Sequence, residues 1–178
     1  MTRITVSGLP GSGTSTLCRR LAERTGLEHV NVGRIFRDLA AELGVSLTEL
    51  GSRAEADGDI DRRLDHRLTE RARQPPGCLL EGRITGWMMH RHDLDALKLW
   101  VQADLPTRAR RVAGRDGQSP EEAETAILAR ERSERRRYAE HHRIDLSDLS
   151  IYDLVLHSDR TDPEGLVRRV ELWLEGCG

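Results

Sequence analysis

The stretch from Gly8 to Thr16, GLPGSGTST, limits what this chain can become more than any other part of it. It follows an alternating run, Arg3-Ile4-Thr5-Val6-Ser7, with the pattern of a buried strand, and it leads into Leu17 to Arg24, which has helical apolar spacing. Strand, glycine loop and helix together are the context a phosphate-binding loop requires. Gly8, Gly11 and Gly13 allow successive backbone N–H groups to turn inward on one oxyanion. A helix beginning near Thr14 adds free N–H groups and the positive end of its dipole. The loop is built for a polyphosphate.

Gly8 and Gly13 have the spacing of the pattern G-x-x-x-x-G-K-[ST], and Ser15 stands where a hydroxyl would ligand magnesium, but position 14 is Thr where the pattern has Lys. The point charge on the β and γ phosphates is therefore missing. Lysine cannot supply it from elsewhere: the chain has 27 Arg and a single Lys, Lys98, inside a later apolar strand. If phosphate is transferred here, arginines carry the charge. The rival readings are an ordinary strand-to-helix connection and a nucleotide-binding regulatory protein without transfer activity.

A length of 178 residues suits one domain over 1–178. With 28 basic and 30 acidic side chains, the net charge of -2 argues against a general nucleic-acid or membrane binder. No run of about 18 apolar residues occurs, and the N-terminus opens directly into the first strand, so a soluble cytoplasmic protein, acting as a monomer, is expected. Cys18, Cys78 and Cys177 fit neither a disulfide framework nor zinc spacing, and inert thiols are the default.

Further strands are expected at 27–32, 78–80, 97–103 and 151–157, alternating with helices. Five short strands of this kind predict an α/β protein with a parallel sheet and helices on both faces. Two helical segments interrupt the alternation, 33–73 and 106–143, the second carrying Arg108, Arg110, Arg111, Arg115, Arg130, Arg132 and Arg135 to Arg137. Gly114 and Gly117 are expected to loosen that segment. The run Cys78-Leu79-Leu80 delivers Glu81-Gly82-Arg83 to a strand's carboxyl end, where ligands gather in open α/β sheets. Asp61 and Asp65 share a helix face, which reads as a solvated face with arginine partners. His90, His92, His141 and His142 read as surface histidines, Arg71 as an ordinary surface cation, and Trp100 and Trp173 as core. Trp87 is balanced between core and a wall of a base pocket.

Phosphoryl transfer depends mainly on positioning and charge neutralisation, and the arginine fork pairs with phosphate oxygens at any working pH. On that logic Arg37 and Arg83 clamp an acceptor phosphate, while Arg111, Arg115, Arg130 and Arg137 belong to a lid over the donor.

The segments ITVSGLPGSGTST, VGRIFRDLA, LLEGRITGWM, RVAGR, RERSERRRY and LSIYDLVLHS resemble the nucleoside monophosphate kinases, and most closely the short archaeal-type cytidylate kinases, over nearly the whole chain. The resemblance implies a P-loop NTPase fold with a helical acceptor-binding flap at 33–73 and an arginine-rich lid at 106–143. It implies ATP held by Gly8, Leu9, Pro10, Gly11, Ser12, Gly13, Thr14, Ser15, Thr16 and Arg111, and Mg2+ on the Ser15 hydroxyl and, through water, on Glu81. It places the phosphate of CMP or dCMP on Gly33, Arg37 and Arg83, with Arg83, Arg115, Arg130 and Arg137 as the catalytic arginines. The family includes loops of the GSGTTT kind, so Thr14 is similar to a variant within it. Two departures stand out: Glu131 and Glu134 replace the lid aspartates, and Ile84 stands where bacterial cytidylate kinases have an aspartate that reads cytosine. Either Trp87 with Asp61 or Asp65 would then meet the base. AMP, UMP or a modified cytidylate are the alternative acceptors.

Overall fold

The computed structural model describes residues 2–56 and 58–176; Cys177 lies outside them. In chain order the elements are β1 (Thr2–Gly8), α1 (Thr14–Thr25), β2 (His29–Asn31), α2 (Val32–Glu42), α3 (Leu47–Ala56), α4 (Asp59–Arg73), β3 (Gly77–Glu81), α5 (Thr85–Arg91), β4 (Leu97–Gln102), α6 (Leu105–Asp116), α7 (Pro120–His142), β5 (Leu154–His157) and α8 (Pro163–Gly176). The five strands form one parallel sheet in the order β2-β3-β1-β4-β5.

Side-chain alternation along the strands explains why both faces are covered. On β3, Leu79 enters a core with Ile4, Val6 and Leu99, closed by Leu17 and Leu21 of α1 and by Leu166 and Val170 of α8. Its neighbours Cys78 and Leu80 enter a second core with Leu68 and Ala72 of α4, Met88 and Met89 of α5, and Tyr138 of α7. Each such aliphatic side chain, fully buried, contributes about 1.5–3 kcal/mol. The register aligns Val6 with Glu81, Asn31 with Glu81, and Gly8 with Val101, so the glycine loop and Glu81 emerge at the same carboxyl end. Lys98 lies toward the other end of β4, with its ammonium on the Ala96 carbonyl and 3.2 Å from Asp153.

Segment 33–73 is built from α2, α3 and α4, with a turn at 43–46, and carries its own small core of Leu39, Ala40, Leu50 and Leu64. Helices α6 and α7 form a hairpin around Ala109, Val112, Ala113, Ala123 and Ile127, where small side chains let the axes approach. Gly117, left-handed at φ 69°, ends α6, and Ser119 and Glu122 form a complete capping box at the start of α7.

Three readings of the sequence are changed or sharpened here. Helix α5, the connection between β3 and β4, has no visible period in the sequence: Thr85 to Arg91 is too short and apolar to show one, and burial of Met88 and Met89 settles it. Gly114 sits inside α6, so Gly117 alone breaks the segment. β5 starts at Leu154, because residues 149–152 make a turn closed by Tyr152 N–H on the Leu149 carbonyl. That turn sets the Tyr152 ring 5.3 Å from Trp100.

Candidate active site

The loop between β1 and α1 is shaped by two glycines in the left-handed region, Gly11 at φ 80° and Gly13 at φ 95°. At Gly11 a side chain would also press on the Arg108 backbone, 2.7 Å from its carbonyl oxygen. Gly13 is the N-cap of α1 and offers no side-chain cap, so the opening turn of the helix keeps its donors and its positive dipole end for an anion.

Glu81 is the centre of the site. It is buried, and its Oε1 accepts hydrogen bonds from the hydroxyls of Thr14, at 2.9 Å, and Ser15. Its Oε2 meets His29 Nε2 at 2.9 Å and accepts from the Asn31 side-chain amide. Burial pushes the Glu81 carboxyl up, but the hydrogen bonds from His29, Ser15, Thr14 and Asn31 outweigh it and hold the group below the ordinary carboxylate range. Thr14 thus joins the carboxylate network at the position where the loop pattern has lysine. Hydroxyl and carboxylate oxygens converging beside a helix N-terminus suit a hard divalent cation such as Mg2+. Among the described residues, Cys18, His29 and Glu81 group within ligand range of one another. The Cys18 thiol is pushed well up, by burial and then by Glu81, so it does not contribute a ready thiolate to that set.

Two buried arginine–glutamate pairs clip α7 to the loop. Arg83 donates from Nη1 to the Gly8 carbonyl at 2.7 Å and from Nε to Glu134 at 2.7 Å. Arg108 donates to the Pro10 carbonyl at 3.2 Å, to the Ala103 carbonyl, and to Glu131. Burial disfavours the Arg83 charge, yet Glu134 raises its proton affinity above the ordinary value; Glu134 is held low, burial being outweighed by Arg83 and Arg130. On the outer side Arg111 reaches the Gly11 carbonyl and both the hydroxyl and the carbonyl of Ser158, and the Ser158 hydroxyl donates to the Ser12 carbonyl at 2.6 Å. A cleft of about 360 Å³ opens there, lined by Gly13, Thr16, Arg111 and residues 158–163.

The other expected residues divide. Arg130 lies on the same face of α7 and donates to Glu134 at 2.8 Å. Gly33 and Arg37 stand exposed on the first turns of α2, and Arg37 makes no hydrogen bond or ion pair among the described residues. Trp87 is half-buried against the second core, edge-on to His90. Arg115 is not brought to the loop; its guanidinium turns back on Asp116 at 2.7 Å. Arg137 contacts Asp61 at 3.4 Å and the Tyr138 hydroxyl at 3.2 Å.

Asp61 and Asp65 are not on a solvated face, and His142 is not a surface histidine. α4 packs against the end of α7, burying Asp61 at 4% exposure and His142 at 9%, with His142 set between Asp61 at 3.5 Å and Asp65 at 3.3 Å. Arg71 is likewise structural, tying Glu28 to the Gly77 carbonyl. Sequence reasoning missed Arg108, Ser158, His29 and Asn31. The four arginines of α6 are indistinguishable by type, and only their helical phase separates buried Arg108 from the rest.

Comparison with known proteins gives a consistent result. Residues 3–160 match the model of the cytidylate kinase-like family. A cytidylate kinase of Pyrococcus abyssi is 48% identical over 163 residues, covering 92% of this chain and 88% of that one. A cytidylate kinase of Methanococcus maripaludis is 41% identical over 169 residues, 94% of each. A solved shikimate kinase from Bacteroides thetaiotaomicron superposes with a TM-score of 0.65 at 14% identity, covering 98% of both chains, a likeness of fold.

Proposed function

The chain belongs to the cytidylate kinase-like family, and on that premise we propose that it transfers the γ-phosphoryl group of ATP to CMP or dCMP, with Mg2+ bound. The observation that carries this is the convergence of the Thr14 and Ser15 hydroxyls on the buried, ionised Glu81, beside the uncapped start of α1. The relatives named cytidylate kinase supply the substrate class.

Residues Gly8 to Thr16 wrap the donor phosphates with backbone N–H groups, and the donor base takes the cleft beside Arg111 and residues 158–163. Mg2+ would be held by the Ser15 hydroxyl and, through water, by Glu81, and when bound it neutralises charge on the β and γ phosphates. His29 and Asn31 fix the Glu81 carboxylate from behind, so its orientation costs nothing at the moment of reaction. Arg83, anchored by Glu134 beside the loop, faces the transferring group, and Arg37 grips the acceptor phosphate from α2. Arg130 closes from α7, while Arg111 neutralises the donor side. Together they provide the positive charge that Thr14 does not. Segment 33–73 serves as the acceptor-binding flap and 106–143 as the lid, which excludes water from the transfer. Arg115, turned to Asp116 in this state, would have to swing to take any part.

The test is ATP-dependent formation of ADP in the presence of CMP. Turnover that requires both nucleotides and magnesium supports the reading. ATP binding with no transfer to any monophosphate would replace it with the regulatory one.

A further inference from the structure

In a planar trans peptide the C=O of one residue and the N–H of the next face opposite ways, so a held carbonyl also aims an amide donor. The Pro10–Gly11 and Ser12–Gly13 peptides of the phosphate loop are both trans. The Pro10 carbonyl accepts from Arg108 at 3.2 Å, and the Ser12 carbonyl from the Ser158 hydroxyl at 2.6 Å. Both carbonyls are thus held toward the protein, and the N–H groups of Gly11 and Gly13 are turned the other way. Neither N–H has an acceptor among the described residues, whereas the Ser12 N–H between them is spent on the Leu9 carbonyl at 3.1 Å.

Arg108 is the more costly of the two caps. It is 6% exposed, and its fork is fully used: Nε donates to the Ala103 carbonyl at 3.1 Å, and Nη1 donates both to Pro10 and to Glu131 of α7. Glu131 is buried as well and matches the charge, so Arg108 adds no net charge to the loop. A buried ion pair of this kind stabilises a fold no better than a well-packed apolar pair does. What it gives is direction, because the planar fork sets three acceptors in a fixed geometry. Gly11, at φ 80°, rests on the Arg108 backbone so closely that a Cβ would lie 2.7 Å from its carbonyl oxygen. The Arg108 backbone therefore stops the loop from moving toward α6, and its side chain stops it from moving away.

We propose that Arg108 is a positioning residue for the donor phosphates: by holding the Pro10 carbonyl it fixes the Gly11 N–H toward them, in a loop where Thr14 replaces the usual lysine. This rests on the kinase reading above. A donor fixed in advance costs no reorganisation as charge shifts between the phosphates during transfer, so Arg108 supports the reaction step as well as ATP binding, without touching ATP. The acceptor side is unaffected.

The experiment measures the Kd of ATP by calorimetry, together with kcat, kcat/KM for ATP and KM for CMP, and records thermal unfolding for each protein. It compares the wild type, the double variant Arg108→Met with Glu131→Leu, and Arg108→Lys. The double variant removes both buried charges at once, so no unpaired ion is left in the core, but the Pro10 carbonyl loses its donor. Lys keeps one donor and loses the fork. The double variant is expected to fold with a Tm close to the wild type, to bind ATP about tenfold more weakly and to lose about tenfold in kcat, with KM for CMP within about twofold; Arg108→Lys falls between. A folded double variant whose Kd and kcat/KM for ATP stay within about twofold of the wild type overturns the proposal, as does an equal loss on ATP and CMP, which marks a packing role. If the double variant fails to fold, Arg108→Lys decides alone by the same limits. A wild-type protein that binds ATP but phosphorylates no monophosphate removes the kinase reading, and the Kd of ATP then decides the role of Arg108. One that does not bind ATP removes both.

Discussion

Glu134→Gln separates the clip that joins α7 to the phosphate loop from its surroundings. Glu134 is 8% exposed at its side chain and accepts from Arg83 at 2.7 Å and from Arg130 at 2.8 Å. The Arg130 side chain is 61% exposed, so its share is screened and contributes little. The Arg83 pair is shielded, and breaking a buried ion pair from one side costs about 3–5 kcal/mol. Glutamine keeps one acceptor oxygen, and Arg83 keeps the Gly8 carbonyl, so the expected loss is about 2–3 kcal/mol. For a domain of this size that lowers Tm by about 5–10 °C. Urea unfolding gives the free energy, and steady-state kinetics give the functional share. If Arg83 faces the transferring group, kcat falls by about 10²-fold, with a smaller change in the KM for ATP. A variant within 1 °C of the wild type and with unchanged kcat would refute the claim that this pair fixes Arg83.

Other perturbations separate the remaining parts of the account. Burial first, with repulsion from Asp61 and against attraction from His142 and Arg91, raises the Asp65 pKa from 3.8 to about 6. The native state therefore holds this proton more tightly than the unfolded chain, and the stability it gives below about pH 4 is lost as pH rises to 6. Asp65→Asn should remove about 2 kcal/mol of that fall, read by urea unfolding at pH 4.5 and 7.5; parallel profiles would contradict it. Arg37 is exposed and makes no hydrogen bond or ion pair among the described residues, so in Arg37→Ala Tm should hold while kcat/KM for CMP drops about 10²-fold; an unchanged value would release Arg37 from the acceptor phosphate. Thr14→Lys should change kcat/KM for ATP less than about fivefold, since arginines already neutralise the phosphates, whereas a hundredfold gain would show a native loop short of charge.

What the sequence made legible was whatever depends on local pattern. The β1 alternation, the glycines at 8, 11 and 13, and the short run before Glu81 placed the loop and the central strands, and the sheet is as those runs imply. What depends on tertiary burial was not legible. Asp61, Asp65 and His142 have surface residue types, and only the packing of α4 on α7 buries them. His29 and Asn31 belong to a three-residue strand, and parallel pairing with β3 alone brings them to Glu81. Arg115 and Arg111 are equally suggestive in sequence, one turn apart, yet they face Asp116 and Ser158.

The central claim is transfer to a cytidylate, and it is tested most directly by magnesium-dependent ADP formation from ATP with CMP, dCMP, UMP, AMP and GMP offered in turn. The account predicts selective turnover with CMP or dCMP. ATP bound in the cleft beside Arg111, with no turnover on any of the five, would contradict it.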